Sequence, residues 1–428
     1  MFSLSTVWKI ARDLGPKWIL KRLKFAVQAR FGILERRLPV SHWDFGSRDW
    51  LSARTPLDPD RLKQSVIERS RFFFGFAPPP SLSDGENVCR LADRILAGEW
   101  PFFSRQWLRV GFPPDWHFNA FDGTRVNHRV HWSRIDLGDI HDVKFVWEPS
   151  RFSVAYLLAR AYGIRRDERY AEAFWRLIED WADKNPPNQG VNWVSGQEVA
   201  LRVMAWCFGL HGFLSSPCST PERIFRLVRM IEKHGERIAG FIEYALSQRN
   251  NHGISEATGL FTIGILFPQF RRAPEWLERG RELIIRQIQE QIYEDGSYIQ
   301  HSFNYERLML DDLVWAFRLA ELNDIPFPEN SYRSLATGGG IHAPVLRCPY
   351  RQNAQLWRKR RQSGAALELL RLRGFSAIDS GGLLLDLSIV LFWARPMERD
   401  GRAVLCGRRK SRYQQICGGA RNEVRSPS

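Results

Sequence analysis

Three short stretches gather the residue types that acid–base and anion-binding chemistry needs. Arg249-Asn250-Asn251-His252 sets two amides and an imidazole in succession between two strongly helical runs. Asn competes for backbone hydrogen bonds and is a poor choice for a helix interior, so this local violation fits a site that points donors at an anion. Either Asn could also serve as the N-cap of the next helix, leaving the other for chemistry. The stretch from Asp295 to Tyr305 is a Gly-containing turn that places Tyr298, His301 and Tyr305 in one segment, ahead of a helix expected over Glu306 to Leu322. A lone Tyr there would read as packing; three hydrogen-bonding or titratable side chains beside a turn read as a candidate site. Trp147-Glu148-Pro149-Ser150-Arg151 precedes an apolar helix, with Ser150 as a candidate N-cap and Glu148 and Arg151 as a candidate pair.

The elements that must hold these residues are helical from about Pro59 onward. Val199, Val203, Cys207 and Leu210 follow the three-or-four spacing of one buried helix face, as do Ile224, Leu227, Val228 and Ile231, and again Leu283, Ile284, Ile288 and Ile292. Pro217, Pro221, Pro268 and Pro274 fall between such runs, which predicts an all-α body of helices joined by short links. The segment from Asp84 to Asp142 differs. Its Trp100, Phe102, Phe103, Trp107, Phe112, Trp116 and Phe118 read either as the wall of a substrate cleft or as a loop packed over the helices.

Taken together, the run from Trp193 to Arg202 (Trp-Val-Ser-Gly-Gln-Glu-Val-Ala-Leu-Arg), the Asn-Asn-His at 250–252 and the Asp-Gly-Ser-Tyr…Asn-Tyr of 295–305 resemble the N-terminal catalytic domain of heparinase II/III-type and related alginate-type polysaccharide lyases. The resemblance covers roughly residues 40–330. It implies an incomplete (α/α) toroid of helical hairpins whose groove holds an acidic polysaccharide, followed by a β-sandwich. The implied reaction is β-elimination at a uronic acid, in which a base removes the proton α to the carboxylate and an acid protonates the departing glycosidic oxygen. That proton is weakly acidic, so the barrier falls when the carboxylate is neutralised as charge develops on it.

Carried over by resemblance, Asn251 matches the carboxylate-neutralising Asn of the family. Tyr305, 54 positions later, matches its catalytic Tyr, a general acid and in some members also the base. His252 matches the imidazole that follows the Asn in the alginate-lyase branch, where it is a candidate base. A phenol with an ordinary pKa near 10 is a poor base at neutral pH, so a basic role for it needs donor or cationic neighbours. His301, Arg249 and Arg307 are the nearest in sequence. The expected substrate contacts are Tyr298, His301, Arg249, Asn250, Glu198, Arg202 and Trp147. Glu198 and Arg202, one turn apart, read as a groove-lining pair or as an ordinary i, i+4 salt bridge. No metal and no cofactor is called for. The family's usual place is the periplasm or outside the cell.

Composition narrows the rest. At 428 residues, 44% hydrophobic and 25% charged, the chain is long enough for two or three domains with cores of their own. No run approaches the roughly 18 consecutive apolar residues of a membrane span, so stable membrane insertion is not expected. The net charge of +15 is unevenly placed: residues 336–428 hold 17 Lys+Arg against 6 Asp+Glu, and residues 1–335 hold 45 against 41. The basicity therefore gives no ground for a nucleic-acid partner of the main body. Cys89, Cys207, Cys218, Cys348, Cys406 and Cys417 show neither metal-ligand nor disulfide-framework spacing.

Residues 1–45 form a basic amphipathic arm, whose apolar runs are too short and too often charged for a secretory signal. The arm reads as a helix packed on the body or as one making peripheral membrane contact. Residues 46–335 are the expected toroid domain. Residues 336–428, with Gly-Gly-Gly at 338–340 and Arg358-Lys359-Arg360-Arg361, lose helical periodicity. Read one base downstream, the codons of 355–361, 374–377 and 396–399 admit family-like strings in the right order, so this tail is expected to be out of frame, largely disordered and accompanied by impaired activity. Two other classes stay open. One is a non-catalytic acidic-glycan-binding or exopolysaccharide-assembly protein. The other is a glycoside hydrolase, which needs two opposed carboxylates; Glu198, Glu256 and Glu294 offer no defensible pair by spacing.

Overall fold

Local capping explains where several helices begin. A computed structural model describes residues 16–338, apart from 70, 75–84, 104, 105 and 141. Of the tail read as out of frame, 336–428, residues 336–338 end the last described helix, and residues 339–428, with Cys348, Cys406 and Cys417, lie outside the described residues. Helices α1 (Pro16–Arg30), α2 (Ile33–Arg37) and α3 (Pro59–Arg69) lead into α4 (Gly85–Leu96), then an antiparallel hairpin of β1 (Glu99–Phe102) and β2 (Gln106–Arg109), then the short α5 (Lys144–Ser150). Four helix pairs follow: α6 (Val154–Arg165) with α7 (Glu168–Lys184), α8 (Gly196–Phe213) with α9 (Pro221–Gln248), α10 (Asn251–Leu266) with α11 (Ala273–Gln291), and α12 (Phe303–Leu322) with α13 (Glu329–Gly338). The side chains of Asp167, Ser195, Thr220 and Asn250 accept from the first-turn amides of α7, α8, α9 and α10, which satisfies donors that a helix start otherwise leaves orphaned.

The order of contacts gives the architecture. Helix α4 packs on α6, α6 on α8, α8 on α10 and α10 on α12, while α7, α9 and α11 lie behind the helices they follow. This is an inner layer backed by an outer one, an all-α incomplete (α/α) toroid. From α6 onward one outer helix returns the chain each time, so α6, α8, α10 and α12 run parallel and begin at the same end. The three predicted apolar faces are buried as spaced, from Val199 to Leu210, Ile224 to Ile231 and Leu283 to Ile292. Inner helices α8 and α10 are buried almost all round, which requires close approach. Gly259 on α10 would place a Cβ 2.6 Å from that of Ala200 on α8, and a Cβ on Gly264 would overlap the backbone of Leu277 on α11.

Two local readings are corrected. Ser150 is not an N-cap: it ends α5, and its Oγ accepts from Trp181 Nε1 at 3.3 Å, while Ser153 holds the N-cap position of α6. The aromatic segment is less irregular than its composition suggests, since it opens with α4 and the β1–β2 hairpin. Its Trp100, Phe102 and Trp116 are buried in the core, which makes them packing rather than cleft wall. No described helix is long and apolar enough to cross a membrane.

Candidate functional site

The common end of the inner helices collects the first-turn residues expected to carry the chemistry. Three of these helices are launched alike: a non-glycine residue in the left-handed region stands two positions before the first helical residue, Phe152 (φ 58°) for α6, Arg249 (φ 51°) for α10 and His301 (φ 48°) for α12. Backbone of this kind costs about 1–3 kcal/mol and persists only where the surroundings enforce it. Here it turns the chain sharply into each of these helices; at α6 the turn is buried in the core, while at α10 and α12 it carries exposed Arg249 and His301.

At α10 the two amides divide the work. Asn250 is the N-cap, its Oδ1 accepting from His252 N at 3.1 Å. Asn251, almost fully buried, is free of capping, and its backbone N–H donates to Gln300 Oε1 at 2.8 Å. That bond ties the start of α10 to the turn that leads into α12. Gln291 completes the brace: its Nε2 donates to Asn250 O at 3.1 Å, and its Oε1 accepts from Tyr298 Oη at 2.9 Å. Tyr298 is buried, its phenol is pushed up by burial and its hydroxyl is committed to Gln291, so it positions the turn where a substrate contact was expected of it. Arg249, His301 and Tyr305 are solvent-exposed around this point, with Tyr305 in the first turn of α12.

His252 lies half-buried beside a compact ion cluster. Arg151, just after α5, donates to both oxygens of Glu198 on the first turn of α8, Nε to Oε2 at 2.6 Å and Nη2 to Oε1 at 2.8 Å. Its Nη1 reaches Glu148 Oε2 at 2.6 Å, as the spacing of those two suggested, and Phe103 N donates to Glu148 Oε1 at 3.2 Å. Burial raises the Glu148 carboxyl against the pull of Arg151. Burial also lowers His252, with Glu198 opposing and Arg151 reinforcing, so its imidazole is neutral and able to accept a proton at pH 7.

Arg202 is a second correction. It is fully buried, and the Glu198 carboxylate expected to pair with it is held by Arg151 instead. Its Nε donates to His234 Nε2 at 3.0 Å, Nη1 to Ser150 O at 3.2 Å and Nη2 to Asn192 O at 3.0 Å, under Trp181, whose ring centroid is 4.4 Å away. Burial brings it down to about 9. Arg237 does the same for the next carbonyls, Nε to Trp193 O at 3.1 Å and Nη2 to Val194 O at 2.9 Å. The two buried guanidiniums thus fix the chain just ahead of Arg151 and Glu198, a floor under the site and not part of its groove. Trp147 donates from Nε1 to Val191 O at 2.9 Å and is half-buried, a further brace on the same segment.

Sequence reasoning missed Arg151 as the partner of Glu198, 47 residues away, missed Asp312, and weighed Glu256 only as a hydrolase carboxylate. Glu256 is buried with its carboxyl against Gly196, the first residue of α8, and its Oε2 has no partner; burial pushes it up to about 8. Ser255 Oγ donates to Asp312 Oδ2 at 2.5 Å and accepts from Gln197 Nε2 at 3.2 Å, which cross-links α8, α10 and α12 one turn behind the mouth. Glu198 is ion-paired, Glu256 buried and Glu294 exposed, so these three supply no opposed pair for glycoside hydrolysis.

Known proteins match this chain over the same region. The family model described as Heparinase II/III N-terminus matches residues 105–335. A heparin-sulfate lyase of Bacteroides thetaiotaomicron is 29% identical over 170 residues, 39% of this chain and 24% of the relative. One from Bacteroides stercoris is 25% identical over 258 residues, 56% of this chain and 36% of the relative. The chain spans about a quarter to about a third of the curated relatives it matches. Among solved structures, a mutant heparan sulfate lyase from Pedobacter heparinus has a TM-score of 0.47 at 19% identity, covering 65% of this chain and 42% of that one. Matched by the family model over more than half of its length, this chain belongs to the heparinase II/III family.

Proposed function

We propose that the chain is the helical part of a polysaccharide lyase that cleaves a uronate-containing glycosaminoglycan by β-elimination. The observation that supports this reading is that the first turn of α10, with Asn251 and His252, packs beside the adjacent helix α12, whose first turn holds Tyr305, and is tied to the turn before it by the bond from Asn251 N to Gln300 Oε1. In this reading Asn251 donates from its amide to the substrate carboxylate and stabilises the negative charge that grows there as the α-proton leaves. His252, kept neutral by burial, takes that proton. Tyr305 delivers its phenolic proton to the glycosidic oxygen as the bond to the leaving sugar breaks, and the product carries a C4–C5 double bond. Arg249, Asn250 and His301 provide the rim donors for the acidic chain. The relatives named as heparin-sulfate lyases support a glycosaminoglycan substrate.

Incubation with heparan sulfate, heparin and alginate, followed by the ultraviolet absorbance of the unsaturated uronate, tests the reading. Tyr305→Phe is expected to lower turnover by about 10²–10⁴-fold while the fold is kept, since the hydroxyl is exposed. Undiminished turnover in Tyr305→Phe would remove the phenol from the mechanism. Binding of an acidic oligosaccharide with no change in its length, in the unmodified chain, would favour the non-catalytic glycan-binding alternative. The out-of-frame reading of 336–428, and with it impaired activity, is a separate proposal that resequencing the gene around the codon for Leu335 decides.

A further inference from the structure

Large apolar side chains are seldom left in water in clusters. Among the described residues nine are exposed, and four of them, Leu20, Leu23, Val27 and Phe31, fall on α1 or the residue after it. Leu20, Leu23 and Val27 are spaced i, i+3, i+7 and share one stripe of the helix. Exposed Lys24 and Arg30 lie about 60° to either side of that stripe. The opposite face is the one that docks: Phe25 packs on Phe241 and Tyr244, with ring centroids 5.2 and 4.5 Å apart, and Lys21 pairs with Glu243 on the same helix, α9. So α1 is anchored to the body by one side and presents a second apolar side outward. Its 15 residues contain Lys17, Lys21, Arg22, Lys24 and Arg30 and no acidic residue.

We propose that α1 is an interfacial helix that seats the domain on an anionic bilayer surface, with Leu20, Leu23, Val27 and Phe31 in the headgroup boundary and the flanking cations on lipid phosphates. An apolar stripe bordered by Lys and Arg is the pattern that gains from both acyl burial and surface charge. The charges disfavour the competing occupants. A second copy of α1 would bring two all-basic helices face to face. The remainder of this chain, residues 336–428, is itself strongly basic. A hydrated acidic glycan would pair with the cations and leave the four apolar side chains wet. The inference does not depend on the lyase reading, since α1 packs on the outer helix α9 and contributes nothing to the site.

Flotation of the full chain with vesicles of phosphatidylglycerol and phosphatidylcholine, against phosphatidylcholine alone, provides the test. Binding is expected with the anionic vesicles, weakening as salt rises, and the double variant Leu23→Asp, Val27→Asp is expected to lower the partition by about tenfold or more. Both positions are solvent-exposed, so the variant should keep the circular dichroism and thermal unfolding of the parent. Absence of binding to anionic vesicles overturns the proposal. So does binding that the double variant leaves unchanged, which would mark a general polyanion patch. Self-association abolished by the double variant, without vesicle binding, would assign the stripe to a second copy and overturn it as well.

Discussion

Glu256 sits one turn behind His252, buried, and among the described residues its Oε2 has no hydrogen-bond partner. Its folded pKa is raised to about 8, above the 4.5 of a free carboxyl, so folding takes up a proton. A group with a raised folded value contributes its full stability below the unfolded value, and that stability is lost as pH climbs from about 4.5 to about 8. Glu256→Gln removes the loss. The variant is expected to be more stable than the parent, with a gain on the order of 2–4 kcal/mol larger near pH 8 than near pH 5, read from urea unfolding at the two values. A gain independent of pH would mean that the carboxyl finds a partner when ionised. His211 runs the other way: burial lowers it to about 4, so its contribution is present above the unfolded value of 6.5 and fades as pH falls toward 4.

The same scale shows what local sequence could and could not reveal. Asn250 and Asn251 were legible as one cap and one free amide because capping is decided within three residues. The pairing of Glu198 was not. The i, i+4 rule offers Arg202, and nothing local says that Arg202 enters a cage of Trp181, Trp193 and Trp206, drawn from the end of α7, the link after it and α8. Once Arg202 is committed to carbonyls, Glu198 is left to Arg151 from another element.

At the scale of elements, the periodic apolar faces announced the helices, and the short Pro-bearing links announced their succession. The closeness of the layers was not announced, because it depends on which neighbour a glycine meets. On α10, Gly264 faces the backbone of α11, and on α11 a Cβ at Gly280 would lie 2.6 Å from Phe261 N. Each lets the other helix approach, and neither can be filled without moving backbone. Gly264→Ala is expected to destabilise by about 1–3 kcal/mol in spite of its better helix propensity, with a lower urea midpoint and an unchanged slope. Gly46→Ala, whose Cβ would have only the Asp44 side chain nearby at 3.7 Å, serves as the control and should be close to neutral.

At the scale of the whole molecule, charge separates the helical body from the sequence beyond it. Residues 1–335 are nearly balanced, and the surplus of positive charge sits after them. Binding to duplex DNA at low salt is therefore expected of the full chain and expected to fall by about tenfold in a chain ending at 335, as measured by fluorescence anisotropy. Retention of DNA binding by the shorter chain would locate a basic surface on the body itself.

The repeated launch of inner helices has an evolutionary consequence. At α10 and α12 a local turn sets exposed Arg249 and His301 at the start of the helix, while the packing that keeps the layers together is set further down the same helices. Mutation can therefore exchange one rim side chain for another without disturbing the layers beneath. A ring built this way can change the side chains at its mouth one position at a time, with its folding left intact at every step.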